Sequence, residues 1–204
     1  MDKAAYRETL TEYLPESALD GIIELLQKHP LHIIISRERK TKHGDFRIKR
    51  NGQPQITVNH NLNPYQFLIT LVHEIAHFTT HIKHKRKKGI KPHGIEWKME
   101  FQHLMLPFLN NTVFPNDVLP YLAFYLKNPK AATGSDPKLT YALKKYSSPT
   151  DKVCIFELEK GTNFNLNGKT FSLGNKRRTR YECIEVNTKH KYLINQNAEV
   201  DVLD

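Results

Sequence analysis

The stretch Leu71-Val72-His73-Glu74-Ile75-Ala76-His77 sets two imidazoles one helical turn apart with a carboxylate beside the first. Residues four apart on an α-helix share a face, so the rings of His73 and His77 can point at one ion. Glu74 lies about 100° further round the axis and flanks that ion. Zinc takes neutral nitrogen ligands, and a catalytic site keeps one position open for water, which a neighbouring carboxylate can deprotonate. The motif thus supplies two ligands and a base, provided that a helix forms here and its polar side is sheltered.

The flanking residues meet that condition. Asn63 is a good N-cap, Pro64 suits the first helical position and Gln66 stands where a capping box needs it, so a helix is expected from residue 64. Phe67, Leu68, Leu71, Val72, Ile75 and Ala76 recur at helical spacing and form a broad apolar face. The plain alternative is a surface helix with solvated His and Glu side chains. Apolar residues at i, i+3 and i+4 place this helix in a core instead.

A third ligand must come from His81, His84, His93, Glu96 or Glu100. His81 continues the same helical face but lies roughly 12 Å along the axis from His73, too far to share one zinc at about 2 Å. The extended protease motif with a third His six residues after the second is absent, since Thr80 and Lys83 stand where it requires Gly and His. After a basic loop, Pro92-His93-Gly94-Ile95-Glu96-Trp97-Lys98-Met99 reads as the start of a second helix, with Trp97, Phe101, Leu104 and Met105 spaced for burial. His93 sits at its entrance, where a loop residue can swing onto a metal. Glu96 and Glu100 stay open as alternatives.

The His73-Glu74-x-x-His77 helix, the later His93-Gly94-x-x-Trp97 element and the strand-like Ile56-Thr57-Val58-Asn59 together resemble the SprT-like zinc metallopeptidases, which include the Spartan proteases and the bacterial SprT proteins. The resemblance covers roughly half the chain, and the paired motifs are specific. It implies an α+β, zincin-like peptidase domain with one catalytic Zn2+ held by His73, His77 and His93, and with Glu74 as general base. Because Spartan proteases cut proteins attached to DNA, it also implies DNA-associated or DNA-crosslinked protein substrates. Many relatives carry a C-terminal zinc ribbon with paired cysteines. Here Cys154 and Cys183 look like remnants of its two halves with their partners missing, and two cysteines cannot close a tetrahedral site. A metal-free β module is expected in its place.

At 204 residues the chain can bury one domain and a small second one. No apolar run approaches membrane-spanning length and the first residues lack a secretion-signal layout, so a cytoplasmic protein with reduced thiols is expected. Lys and Arg number 31 against 21 Asp and Glu, a net charge of +10, and the excess is clustered. Lys83, Lys85, Arg86, Lys87, Lys88 and Lys91 crowd the loop between the second and third proposed ligands, and Lys176, Arg177, Arg178 and Arg180 form a second group. Such clusters bind phosphate backbones without sequence preference, or serve only to keep a loop solvated. The first group is tethered at both ends to the proposed metal site, which favours DNA as a partner.

Residues 4 to 28 read as helical with a break near Pro15, and Leu31 to Ser36 as a strand. A hairpin is expected from Phe46-Arg47-Ile48 and Gln55-Ile56-Thr57-Val58 around Asn51-Gly52. Gln55, Ile56, Thr57, Val58 and Asn59 are expected to form an open edge on which an extended substrate adds a strand. From Pro115 to Tyr146 two helical pieces flank Ala131-Ala132-Thr133-Gly134-Ser135-Asp136-Pro137, and Val118, Leu119, Leu122, Phe124 and Tyr125 are expected to be packed. Beyond Pro149, short alternating runs separated by Asn167-Gly168 and Leu173-Gly174-Asn175 read as antiparallel β structure. The expected organisation is a peptidase domain over 1–112, a helical connector over 113–148 and a small β domain over 149–204. The rival reading is a nucleic-acid-binding protein with a structural or vestigial zinc and no proteolysis. A retained Glu74 speaks against it, since a structural site needs no base and closes its fourth position.

Overall fold

A computed structural model describes residues 3–28, 31–39, 42–85, 89–131, 134, 136–149 and 151–203. The chain is α+β and divides into two units, Met1–Ser147 and Ser148–Asp204.

In the first unit, α1 (Lys3–Leu10) and α2 (Glu16–Gln27) are separated at Pro15 and bury Tyr6, Leu10, Leu19, Ile22, Ile23 and Leu26. A three-stranded sheet follows: β1 (His32–Ser36), β2 (Gly44–Ile48) and β3 (Pro54–Asn59), in the order β1-β3-β2. β3 runs parallel to β1 and antiparallel to β2, with Ile56 opposite both Ile33 and Phe46. The hairpin closes at Asn51-Gly52, where Gly52 takes a φ of 80° that a side chain would strain.

α3 (Pro64–Lys83) packs on β2 and β3 and against α4 (Ile95–Met105). Asn63 starts α3 as its sequence position suggests: its side-chain oxygen accepts from the Gln66 N–H at 2.9 Å, and Pro64 has no N–H that needs an acceptor. The same amide donates to Leu143 O at 2.9 Å and Ser147 Oγ at 3.0 Å, so a buried cap also ties down the end of a later helix. That helix, α6 (Pro137–Lys144), is capped by Asp136, whose carboxylate accepts from the Leu139 N–H.

Residues 113–148 were expected as a helical connector that packs on the first domain or bridges to the second; up to Ser147 they fall in the first unit and add to its core. Val113, Phe114, Val118, Leu122 and Tyr125, the last two on α5 (Leu119–Leu126), are buried there together with Leu139, Ala142 and Leu143. Phe124 differs from expectation: it projects from α5 with 68% of its surface exposed. Ala132, Thr133 and Ser135 of the expected linker lie outside the described residues.

The second unit is a six-stranded sheet: β4 (Val153–Cys154), β5 (Asn163–Leu166), β6 (Lys169–Arg177), β7 (Arg180–Glu185), β8 (Lys191–Asn195) and β9 (Glu199–Leu203), ordered β4-β9-β5-β6-β7-β8. Ile155, Phe164, Phe171, Leu173, Cys183 and Val200 form its core. Asn167-Gly168 turns β5 into β6 with positive φ at both residues, the backbone such two-residue hairpins require. Gly174-Asn175 is not the turn its composition suggests. β6 runs through it with a register shift, because a Cβ at Gly174 would lie 2.6 Å from Glu182 O and glycine lets the two strands close across a bulge. The reversal comes at Arg178-Thr179, between the paired Arg177 and Arg180. Cys154 and Cys183 are buried thiols on β4 and β7, with β9, β5 and β6 between those strands.

Candidate metal centre

Helix α3 delivers His73 and His77 from its middle turns, where its other faces are fully buried. His93 arrives from the loop before α4 with a φ of 60°, the left-handed region that a residue with a Cβ seldom occupies. Gly94 then caps α4, and its N–H turns back to Lys91 O at 2.9 Å. That reversal aims the His93 ring at the two rings on α3.

The three Nε2 atoms converge. His73 lies 3.2 Å from His93 and 3.3 Å from His77, and His77 lies 2.9 Å from His93. Tetrahedral ligands at ordinary zinc–nitrogen lengths stand about 3.3 Å apart, so the donor set has the size such an ion needs. Each Nε2 of a neutral imidazole is a donor or an acceptor but not both, so three that face one another cannot all be paired at once, and a cation between them removes the conflict. Burial pushes His73 down to about 2, with His77 and His93 adding to it. Burial and then His93 push His77 down to about 4, against the opposing pull of Asp45, and burial lowers His93. All three are therefore neutral at neutral pH, the form that ligates metal. Among the described residues this is the group of side chains close enough to hold an ion. Glu100 is engaged elsewhere, accepting from Lys83 Nζ at 2.7 and 2.9 Å.

Glu74, one residue on from His73, is buried and turned toward the sheet. Its carboxylate accepts a hydrogen bond from the Phe46 main-chain N–H on β2, and Gly44 on that strand leaves the space its oxygens fill. Burial, then the Asp45 carboxylate, raise Glu74 to about 8, while Arg39, Lys42 and the Phe46 N–H pull the other way. A cation held by the histidines would pull it further down, into the ionised form a base requires.

The expectation that Gln55 to Asn59 offers an open edge is corrected by the topology. β3 is the central strand, and Gln55 to Asn59 is bonded to β1 on one side and to the chain of β2 on the other, so it has no free ladder to offer. The strand beside Glu74 with an unpaired edge is β2. Asn59 N–H donates to His43 O at 2.8 Å, so odd-numbered residues of β2 bond to β3 and the main-chain groups of Gly44, Phe46 and Ile48 face outward, the Phe46 N–H being taken by Glu74. Asn59 itself is a latch: its side chain accepts from Arg39 Nε at 2.8 Å and donates to Lys42 O at 3.0 Å, fixing the chain that leads into Gly44.

Of the basic clusters, Lys83, Lys85 and Lys91 are exposed, and Arg86, Lys87 and Lys88 lie outside the described residues. Lys176, Arg177, Arg178 and Arg180 are exposed at the β6–β7 turn, where Arg177 Nη2 pairs with Glu182 Oε1 at 2.9 Å. Sequence reasoning did not find Asp45, Gly44 or Arg39 beside Glu74. They lie about 30 residues upstream with no motif of their own, and only the pairing of β2 with β3 under α3 brings them in.

Residues 26–95 match the model of a peptidase family, Peptidase_M78, described as the IrrE N-terminal-like domain. The matched segment takes in all three strands of the first sheet, the whole of α3 and His93. The chain thus carries a metallopeptidase-like domain. The SprT-like resemblance rests on its own motifs, since the family matched is a different one. No curated protein and no solved structure matches the chain. No helix among the described residues is long and apolar enough to cross a membrane.

Proposed function

We propose that this protein is a zinc-dependent endopeptidase. The observation that carries the reading is the convergence of three neutral imidazole Nε2 atoms to within 3.3 Å of one another, with a buried carboxylate one residue from the first. His73, His77 and His93 would hold the ion. A zinc bound there supplies a Lewis acid that makes water a nucleophile at neutral pH and polarises a carbonyl. Glu74 takes the proton from the attacking water and hands it to the leaving amine. Its hydrogen bond from Phe46 keeps the carboxylate aimed while it is empty of that proton. The outward-facing main chain of β2 gives an extended substrate a strand to pair with, so recognition falls largely on peptide groups rather than on side chains.

Within that reading we infer DNA-associated or DNA-crosslinked proteins as the substrates, on the strength of the SprT-like motifs and the exposed lysines between His77 and His93. The experiment measures zinc content and casein cleavage, with and without single-stranded DNA, in wild type and Glu74→Gln. Glu74→Gln should retain zinc and lose roughly 10²–10⁴-fold in cleavage rate. Cleavage equal to wild type removes Glu74 from the role of base. Unchanged cleavage on adding DNA removes the DNA-linked part and leaves the peptidase reading standing.

A further inference from the structure

Trp97, the chain's single tryptophan, touches all three candidate ligand rings. Its ring centroid lies 4.5 Å from that of His73, 5.2 Å from His77 and 4.7 Å from His93. Against His77 it stacks at an interplanar angle of 28°, and Phe101 stacks on it at 18°. His93 meets it edge-on at 75°. The indole Nε1–H is also used: it donates to His73 O, the main chain of the first ligand, at 3.3 Å.

These contacts matter because the usual device for aiming a ligand is missing at His73. A metal-binding histidine ordinarily donates its second ring N–H to a carboxylate or carbonyl, which sets both tautomer and ring orientation. His73 Nδ1 is buried and has no hydrogen-bond partner among the described residues. Its ring packs instead against both Trp97 and Phe101, at 4.5 and 5.6 Å between centroids. His93 is in equal need of support, since its backbone occupies a strained left-handed conformation at the end of a loop.

We propose that Trp97 is the positioning residue of the metal centre, an aromatic plate on which the rings of His73, His77 and His93 are set before any ion arrives. This inference rests on the reading of those histidines as ligands. It goes beyond that reading by assigning the orientation of the site to a side chain on α4 that offers no donor atom to the ion. A residue that only fills the core could be exchanged for another apolar side chain without the site noticing.

The test uses Trp97→Phe and Trp97→Leu of the full chain, titrated with Co2+ and with Zn2+ in competition, with folding followed by circular dichroism. Trp97→Leu should lose roughly 10–100-fold in metal affinity, the usual effect of removing an outer support. Trp97→Phe keeps an aromatic plate too small to reach all three rings and should lose several-fold, with shifted Co2+ visible bands. In wild type, Co2+ should quench the lone tryptophan's fluorescence in proportion to site occupancy. If wild type binds metal and the folded variants bind it equally, with unchanged Co2+ spectra, the proposal fails and the metal site stands. If Trp97→Leu does not fold, Trp97→Phe decides by the same criterion. A wild type that binds neither ion with its histidines intact takes down both the metal reading and the proposal.

Discussion

Gly44 and Glu74 occupy each other's space: a Cβ at position 44 would lie 2.7 Å from Glu74 Oε1 and 2.8 Å from its Cγ. The glycine is needed for close approach rather than for an unusual backbone, since the carboxylate of α3 must reach over β2 to meet the Phe46 N–H. Gly44→Ala should therefore push Glu74 off its hydrogen bond while leaving the three histidines alone. A shift of about 1 Å in a reacting group can cost on the order of 10²-fold in rate. The expected outcome is a variant with wild-type zinc content and casein cleavage reduced by about that factor. Undiminished cleavage would show that the base has room to move.

Asn59 stands at the end of β3, buried, with its amide shared between Arg39, Lys42 and Ser36. Asn59→Ala strands the carbonyls of Arg39 and Lys42 that it now satisfies and leaves Arg39 Nε without its acceptor. Such buried losses cost about 1–3 kcal/mol each where no water replaces the amide. Thermal unfolding of the first unit should shift downward. Cleavage should also fall, because the same amide fixes the segment that leads into Gly44. A variant with unchanged melting temperature would mean that the latch carries no weight.

Ile48 lies on the open edge of β2, and its main-chain N–H faces away from β3. Proline there removes an outward donor without breaking the ladder, an arrangement that an edge strand tolerates. If extended substrates pair along this edge, Ile48→Pro should raise KM several-fold with zinc content preserved. Proline within Gln55–Asn59 of β3 would instead break the sheet, since that stretch is paired with β1 on one side and β2 on the other. An unaltered KM would place the substrate elsewhere.

Cys183 is buried and its thiol is pushed up to about 11 by that burial, against weaker opposing hydrogen bonds from the Gly174 and Ile194 main chain. A thiol above its ordinary value is almost wholly protonated at neutral pH and a poor nucleophile. Cys154 is equally enclosed. Neither should react with iodoacetamide at pH 7.5 on the time scale of minutes, and both should react once the second unit is unfolded in guanidinium. Labelling of the folded protein, read by mass spectrometry, would contradict the packing.

Much of the metal centre is local and so was legible without a fold. The His73/His77 spacing, the Asn63-Pro64 helix start and the burial of Trp97, Phe101, Leu104 and Met105 follow from helical periodicity, which reaches only a turn or two along the chain. Candidate strands could be marked by the same kind of local pattern, and the Asn51-Gly52 and Asn167-Gly168 turns by the few residues that tolerate positive φ. Local pattern misled at Gly174, where a glycine serves close strand contact rather than a turn, and at Phe124, which helical spacing alone put inside.

Which strand lies between which is not a local property. Alternation marks β3 as a strand but carries no sign of whether one or both of its edges are paired, and β1 reaches it in parallel by passing over β2 in sequence. Sequence by itself therefore determined the chemistry on offer: two imidazoles and a carboxylate on one helix, a third imidazole nearby and an excess of positive charge. Only tertiary packing decided that His93 turns inward through a left-handed residue, that Trp97 backs all three rings and that β2 rather than β3 lies open beside Glu74. Each of those outcomes depends on contacts between separate elements, such as His73 with Trp97 and Gly44 with Glu74, where burial and strand pairing, not neighbouring residues, set the geometry.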